Sequence, residues 1–307
     1  MRRRSLLSLP VAALPQASLA QGTGALPAPI PGTTQMELES RTGQPFRLFL
    51  HVPAGEPPSG GWPMITVLDA NAMMGLIVDT IRVQATYPRD AGLRSAAVVA
   101  GVGYRTEEPY DFYRRAFDLS PPPGRQLPPL PNGRPGARTG GADELLDFIE
   151  ETVKPLAARA APIDPGRHAV LGHSFGGLFV LHALFTRPGS FRDHVAASSS
   201  IWWENRAILE AAGRFEARQD RPADLGLLLT AAEYEQQLAP WRADEPGAAA
   251  RAATLAAHRL LGDARDLADR LRPLPGMRVA FEAFPGETHM SSLPLAVHRG
   301  VRFILRG

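Results

Sequence analysis

The feature that most constrains this chain is the stretch Gly172-His173-Ser174-Phe175-Gly176. A short apolar run, His168-Ala169-Val170-Leu171, leads into it, and a longer one, Gly177 to Phe185, leaves it and stops at Pro188. The first has the length of a buried strand and the second that of a helix. A serine at such a strand-to-helix turn is forced into strained backbone geometry, and its small neighbours let strand and helix approach without clashes. The turn lifts the hydroxyl clear of the sheet edge, where it is exposed as a nucleophile.

The rest of the chain supplies the sheet. Met36-Glu37-Leu38-Glu39 and Phe46-Arg47-Leu48-Phe49-Leu50 alternate like half-exposed strands. Met64 to Leu68, Ala96 to Ala100, His194 to Ala197, Leu225 to Thr230 and Val279 to Phe284 are short runs of the buried, parallel kind. Helical spacing fills the gaps at Met73–Ala85, Ala142–Ala160 (with a kink expected at Pro155), Glu204–Arg218, Ala248–Leu271 and Leu293–Leu305. Alternating strand and helix predicts an α/β fold, a mostly parallel central sheet with helices on both faces. Residues 104–141 are Pro/Gly-rich and are expected to form a long functional loop near the site.

Arg2, Arg3 and Arg4, the apolar run Leu6 to Leu14, and Ser18-Leu19-Ala20 follow the order of a secretory signal peptide. Arg3-Arg4-Ser5-Leu6-Leu7 also looks like a twin-arginine signal. The expectation is a signal over residues 1–20, a single domain over 21–307, and export to the periplasm. Losing three arginines would take the formal charge from +2 to −1, which leaves no field for nucleic acid. Lys154 is the one lysine, so the positive charge is nearly all arginine, in keeping with Arg/Ala/Pro-rich coding. No later segment is long and apolar enough for stable membrane insertion. Zero cysteines exclude Cys nucleophiles, Cys-ligated zinc and iron–sulfur clusters. With no H-E-x-x-H and no ligand spacing among the eight histidines, no metal and no cofactor are expected.

A serine hydroxyl needs a base. Of the downstream histidines, His258 and His298 lie in helical stretches, whereas His289 lies in Pro285-Gly286-Glu287-Thr288-His289-Met290, just past the last strand. His289 is the expected base. The acid should follow the strand ending at Thr230, where Glu233 and Glu235 are both available, with Asp244 and Glu245 more distant. Two N–H donors must meet the oxyanion of a tetrahedral intermediate. Phe175 offers its backbone N–H, and Asn71, in Leu68-Asp69-Ala70-Asn71, is the second candidate. Trp202 and Trp203, taken as the end of a strand, should face opposite sides, so that one lines the site. Arg114 and Arg115 could attract an anionic substrate or pair with Asp118.

Beyond the serine motif, several stretches carry a resemblance. They are Val67-Leu68-Asp69-Ala70-Asn71, Val102-Gly103-Tyr104, Arg114 to Pro121, Gly140-Gly141-Ala142-Asp143-Glu144, Ser198-Ser199-Ser200-Ile201-Trp202-Trp203 and Gly286-Glu287-Thr288-His289. From about Phe46 onward the chain resembles the esterase D-like α/β-hydrolases, most closely the bacterial siderophore esterases that open catecholate trilactones such as enterobactin and salmochelin. The resemblance implies an α/β-hydrolase fold and an exported serine esterase. It would act through an acyl-enzyme on a small-molecule ester, with a catecholate siderophore, iron-free or ferric, as the best substrate guess. It implies Ser174 as nucleophile and His289 as base, and favours Glu235 over Glu233; some family members use a Ser/His dyad instead. Two positions depart from the pattern: Ala232 and Ala70 stand where glycine is usual, which could shift the acid and oxyanion loops. Alternative readings are a short-chain carboxylesterase, an acyltransferase of the same fold, and a non-catalytic siderophore binder.

Overall fold

The structure, a computed structural model, describes residues 28–129 and 134–306. The expected signal peptide lies outside the described residues.

All eight strand-like runs of the sequence are strands: β1 Thr33–Glu39, β2 Pro45–His51, β3 Trp62–Leu68, β4 Val98–Gly103, β5 Ile163–His173, β6 Asp193–Ala197, β7 Leu225–Ala232 and β8 Met277–Phe284. They form one sheet in the order β1-β2-β4-β3-β5-β6-β7-β8. The β1–β2 and β2–β4 pairs are antiparallel, and every pair from β4 to β8 is parallel. The continuous apolar run of β3 is buried along its whole length, as a strand covered on both faces must be.

The period-two alternation divides the core. Met64, Leu68, Val98, Val170, Leu227 and Leu229 point to the face covered by helices Phe175–Thr186, Ile208–Ala217 and Leu260–Leu271. Ile65, Val67, Val99, Ala169, Leu171 and Leu228 point to the other face, under helices Ala70–Thr86 and Leu293–Leu305. Helix Phe175–Thr186 is buried from Gly176 through Phe185, apolar except for His182, whose ring meets Asp143 at 2.8 Å.

Four segments differ from expectation. The kink expected at Pro155 is a π-helical turn, Ile149–Val153, between helices Ala142–Phe148 and Lys154–Ala160. Pro155 falls in the first turn of the second helix, where its missing N–H matters least. The helix expected over Ala248–Leu271 breaks at Arg259, whose φ of 48° is left-handed. The helix expected over Glu204–Arg218 is a short turn, Trp203–Arg206, with left-handed Glu204 and Asn205, followed by Ile208–Ala217. Residues 104–141 are not loop throughout. Asp111 Oδ1 accepts from the N–H groups of Tyr113 and Arg114 at 3.1 and 3.0 Å and caps a helix, Phe112–Asp118. Further on, this segment folds back on itself, Leu127 N–H donating to Ala137 O and Thr139 N–H to Arg125 O.

Candidate active site

The carboxyl ends of β3 to β8 bring together the loops that the sequence singled out, as expected for sites on parallel sheets. Ser174 follows β5 with φ 62° and ψ −115°, a conformation most side chains avoid, and helix Phe175–Thr186 starts at the next residue. Its N–H donates to Ala197 O at 2.9 Å, and its carbonyl accepts from Ser200 N–H at 3.1 Å, which fixes the turn to the end of β6. The glycines around it are not equivalent. A Cβ on Gly172 would lie 2.4 Å from Gly176 O, and one on Gly177 would lie 2.5 Å from Ser199 Oγ. At Gly176 the nearest atom would be 3.7 Å away. Close approach therefore demands glycine at 172 and 177, and not at 176.

His289 lies beyond β8, and its Nδ1 is 2.5 Å from Glu235 Oε1. The imidazole side chain is 37 % exposed, whereas Glu235 is only 3 % exposed. Glu235 Oε2 accepts from Ala232 N–H at 2.7 Å, so both carboxylate oxygens are held. A carboxylate on Nδ1 keeps the proton there and leaves Nε2 as the basic nitrogen. Glu233 sits elsewhere: Oε2 accepts from Gly286 N–H at 2.7 Å and Oε1 from Gln237 Nε2 at 2.9 Å. Tyr234 N–H donates to Glu287 O at 2.9 Å, a second tie between the loop after β7 and the loop after β8. Asp244 and Glu245 are exposed, and Glu245 pairs with Arg242.

His173 was not singled out by the sequence, although it lies inside the serine motif. Its Nε2 donates to His289 O at 2.8 Å. Burial, reinforced by the neighbouring His289, pushes its pKa down to about 3, so the ring is neutral. The side-chain ligand atoms of His173, Glu235 and His289 lie within 4.8 Å of one another. Among these residues His289 Nδ1 bonds to Glu235 Oε1 and His173 Nε2 to His289 O, the pattern of an oriented imidazole.

Asn71 stands near the site, but its side chain is committed. Nδ2 donates to Tyr104 O at 3.0 Å and Thr106 O at 2.8 Å, and Oδ1 accepts from Tyr104 N–H at 2.8 Å. A Cβ at Gly103 would come within 2.3 Å of that oxygen, which accounts for the glycine before Tyr104. What Asn71 can offer an oxyanion is its main-chain N–H, in the first turn of helix Ala70–Thr86, where N–H groups lack intrahelical partners. Phe175 offers its own N–H from the first turn of the next helix. Neither departure from the glycine pattern falls at a left-handed backbone position. Ala232 is extended (φ −99°), and Ala70 is buried on the Ala70–Thr86 side of the sheet.

Arg114 and Arg115 part company. Arg114 donates to Pro45 O at 2.9 Å and to buried Asp118 at 3.1 Å and lies over the Phe46 ring, so of the two readings open for it the structure shows the pairing with Asp118. Burial pushes Asp118 up to about 7 against the pull of Arg114. Arg115 grips both oxygens of Asp69 at 3.1 Å and lies over Phe175, the residue after Ser174. Burial opposes its charge, but Asp69 outweighs this and holds its pKa above the ordinary value. Trp202 and Trp203 follow a turn, not a strand, since β6 ends at Ala197; strand alternation therefore does not apply. Trp203 is buried, with its ring 5.0 Å from Phe175. Trp202 is half-buried and stacks flat on His258 at 4.2 Å and 5°. The sequence holds no signal for that stack, since the residues are far apart in the chain.

The family model for esterases matches residues 40–259. The chain is 36 % identical over 282 residues, 90 % of each chain, to the ferri-bacillibactin esterase BesA of Bacillus subtilis. The chain belongs to the esterase family. It is also 34 % identical over 286 residues, 90 % of this chain and 94 % of the other, to the siderophore triacetylfusarinine C esterase of Aspergillus fumigatus. The esterase superposes on the crystal structure of the BES protein of Bacillus cereus with a TM-score of 0.79 and 28 % identity, covering 94 % of this chain and all of that one. It thus has the α/β-hydrolase fold, and its reaction is hydrolysis of a carboxylic ester. Among the described residues no helix is long and apolar enough to cross a membrane.

Proposed function

We propose that this esterase is a serine hydrolase that cleaves the backbone esters of a siderophore, a catecholate trilactone in particular. One observation carries the mechanism: the buried Glu235 carboxylate on Nδ1 of His289, in the loop tied to the residue before Ser174. His289 Nε2 takes the Ser174 proton as Oγ attacks the ester carbonyl. The imidazolium that forms is stabilised by Glu235 through Nδ1–H. The tetrahedral oxyanion is met by the N–H groups of Phe175 and Asn71, each contributing about 10²- to 10³-fold in rate. His289 then protonates the leaving alkoxide, and the acyl-enzyme remains. Water, deprotonated by His289, attacks the acyl-enzyme, and Ser174 leaves with its proton restored.

The substrate class is supported by the names of the two relatives, which specify ferri-bacillibactin and triacetylfusarinine C. It is also supported by an aromatic wall beside the nucleophile, Phe175, Trp202 and Trp203, with the guanidinium of Arg115 over Phe175. Aromatic rings and a fixed cation suit an electron-rich, acidic aromatic group. Incubation with ferric and iron-free enterobactin and with triacetylfusarinine C, read by mass spectrometry, tests the proposal. Linear trimers and smaller fragments from enterobactin are expected. Cleavage of neither siderophore, with good turnover of p-nitrophenyl acetate, would make the protein a short-chain carboxylesterase. A fluorophosphonate should label the wild type on Ser174 and leave Ser174→Ala unlabelled. We further propose export, with cleavage after Ala20; intact mass of the periplasmic protein should correspond to a chain starting at Gln21.

A further inference from the structure

Away from Ser174, the amino-terminal parts of β5 to β8 and the last helix, Leu293–Leu305, enclose a cavity of about 650 Å³. Seven arginines line it, with two carboxylates, Asp193 and Glu282. Three of the arginines are matched: Arg278 with Asp193 at 2.6 Å, Arg299 with Glu282 at 2.8 Å, and Arg192 with Asp224. The other four, Arg94, Arg167, Arg302 and Arg306, have no ion pair and no side-chain hydrogen bond among the described residues. Arg302 Nε is buried without a partner. Burial, with smaller contributions from the charges of Arg192 and Arg94, lowers the pKa of Arg167 against the opposing pull of Asp164 and Asp193. Apolar side chains share the lining, with Phe303 and Ile304 on the helix and Leu228 and Ala280 on the strands. Arg278 is fixed over the Phe303 ring at 3.9 Å.

Arginine on an open surface repels its neighbours weakly, because water screens the charge. Inside a concavity the screening is poorer and the repulsion larger. Folding does not need four unmatched guanidiniums here. A ligand that neutralises them removes the repulsion, and guanidinium forks suit oxyanions that accept two hydrogen bonds at once. The volume is that of a small-molecule site, typically about 300–1,000 Å³, and exceeds what a single inorganic ion fills. We propose that this cavity is a second ligand site, separate from the esterase centre, for a soluble compound bearing a compact, multiply charged phosphate group. The phosphate oxygens would meet Arg167, Arg302 and Arg94, and the remainder of the molecule would lie against Phe303 and Ile304. The concave shape and the apolar part of the lining favour such a compound over a flat membrane surface.

The test is calorimetric titration of the full mature chain with inorganic pyrophosphate at about 50 mM salt. Saturable one-site binding is expected, weakening as salt is raised. The double variant Arg167→Gln/Arg302→Gln should lose about tenfold in affinity or more, since a charge-assisted hydrogen bond is worth about that factor. Arg159→Gln, an exposed arginine on helix Lys154–Ala160, should bind like the wild type. Turnover of p-nitrophenyl acetate should be unchanged in all of them. If circular dichroism shows the double variant unfolded, Arg94→Gln, with its exposed side chain, should still weaken binding. No saturable binding, an equal loss in Arg159→Gln, tighter binding of citrate than of pyrophosphate, or binding to phosphatidylglycerol vesicles alone would each overturn the proposal.

Discussion

His173, the residue before Ser174, donates from its Nε2 to the main-chain oxygen of His289 at 2.8 Å, and the two rings lie 4.4 Å apart. This bond spans the sheet from β5 to the loop after β8, across the two strands between. It anchors the backbone of the proposed base to the chain neighbour of the proposed nucleophile. The bond needs only Nε2–H, which this tautomer and the charged ring both carry, so the anchor persists at any pH where an esterase would be assayed.

Replacing His173 by Phe keeps a ring and removes the donor. Small misplacements of a catalytic group cost up to about 10²-fold in rate. His173→Phe should therefore lower kcat by about 10- to 100-fold on p-nitrophenyl butyrate with little change in KM. His173→Gln, which retains a donor, should recover part of the loss. A rise in KM with kcat unchanged would place His173 in substrate binding instead.

The two candidate acids are separated by a simple comparison. Glu235→Gln removes the charge beside the imidazole and should lower kcat by about 10²- to 10⁴-fold at nearly constant KM. Glu233→Gln loosens one loop tie and should be mild. Near-wild-type kcat in both, and in the double variant, would indicate a Ser174/His289 dyad.

The glycines of the serine turn should differ sharply. Gly172→Ala would put Cβ 2.4 Å from Gly176 O, and Gly177→Ala would put it 2.5 Å from Ser199 Oγ and 2.8 Å from Ala197 O. Each should cost about 1–3 kcal/mol or more, as overpacking does. Gly176→Ala has room and gains helix propensity, so it should be neutral or stabilising by up to about 1 kcal/mol. Thermal melts of the three variants decide it.

Acid should destabilise the fold. Burial lowers His168 and His194 to about 4, below their ordinary value of 6.5, and His173 to about 3. The unfolded chain then takes up protons first, so stability falls as pH drops from about 6.5 toward 4. Asp118, raised to about 7, works the other way, its native state binding the extra proton, and it blunts part of the loss. His168→Gln should keep the stability measured at pH 7.5 and show a shallower decline toward pH 5 in urea titrations. An unchanged slope would remove His168 from the set.

The sheet was legible because each strand is a short apolar run bounded by turn residues, and the serine turn because strand, glycine and helix signals coincide within a few residues. His289 and the acid loop were legible from their places just past two strands. What stayed hidden depends on contacts between distant segments. Nothing local in Asn71 indicates that Tyr104 and Thr106 use up its side chain. The helix breaks at Glu204-Asn205 and Arg259 occur without glycine or proline. Arg206 holds Asp263 at 2.6 Å, a tertiary contact between the two broken regions. Arg115 differs from Arg114 only in the helix face that it occupies, and Asp69 decides its role.

The ties between the loops after β7 and β8, Glu233 to Gly286 and Tyr234 to Glu287, also bear on how such genes can be shuffled. Acid and base lie in the loops after two neighbouring strands, β7 and β8, and are bound to each other, while the nucleophile lies upstream of both. A crossover between two related genes anywhere from codon 200 to codon 224 would exchange Glu235, His289 and their ties as one cassette. Such a chimera would then have to restore the bond from His173 to the carbonyl of residue 289, and with it the approach of the base to Ser174.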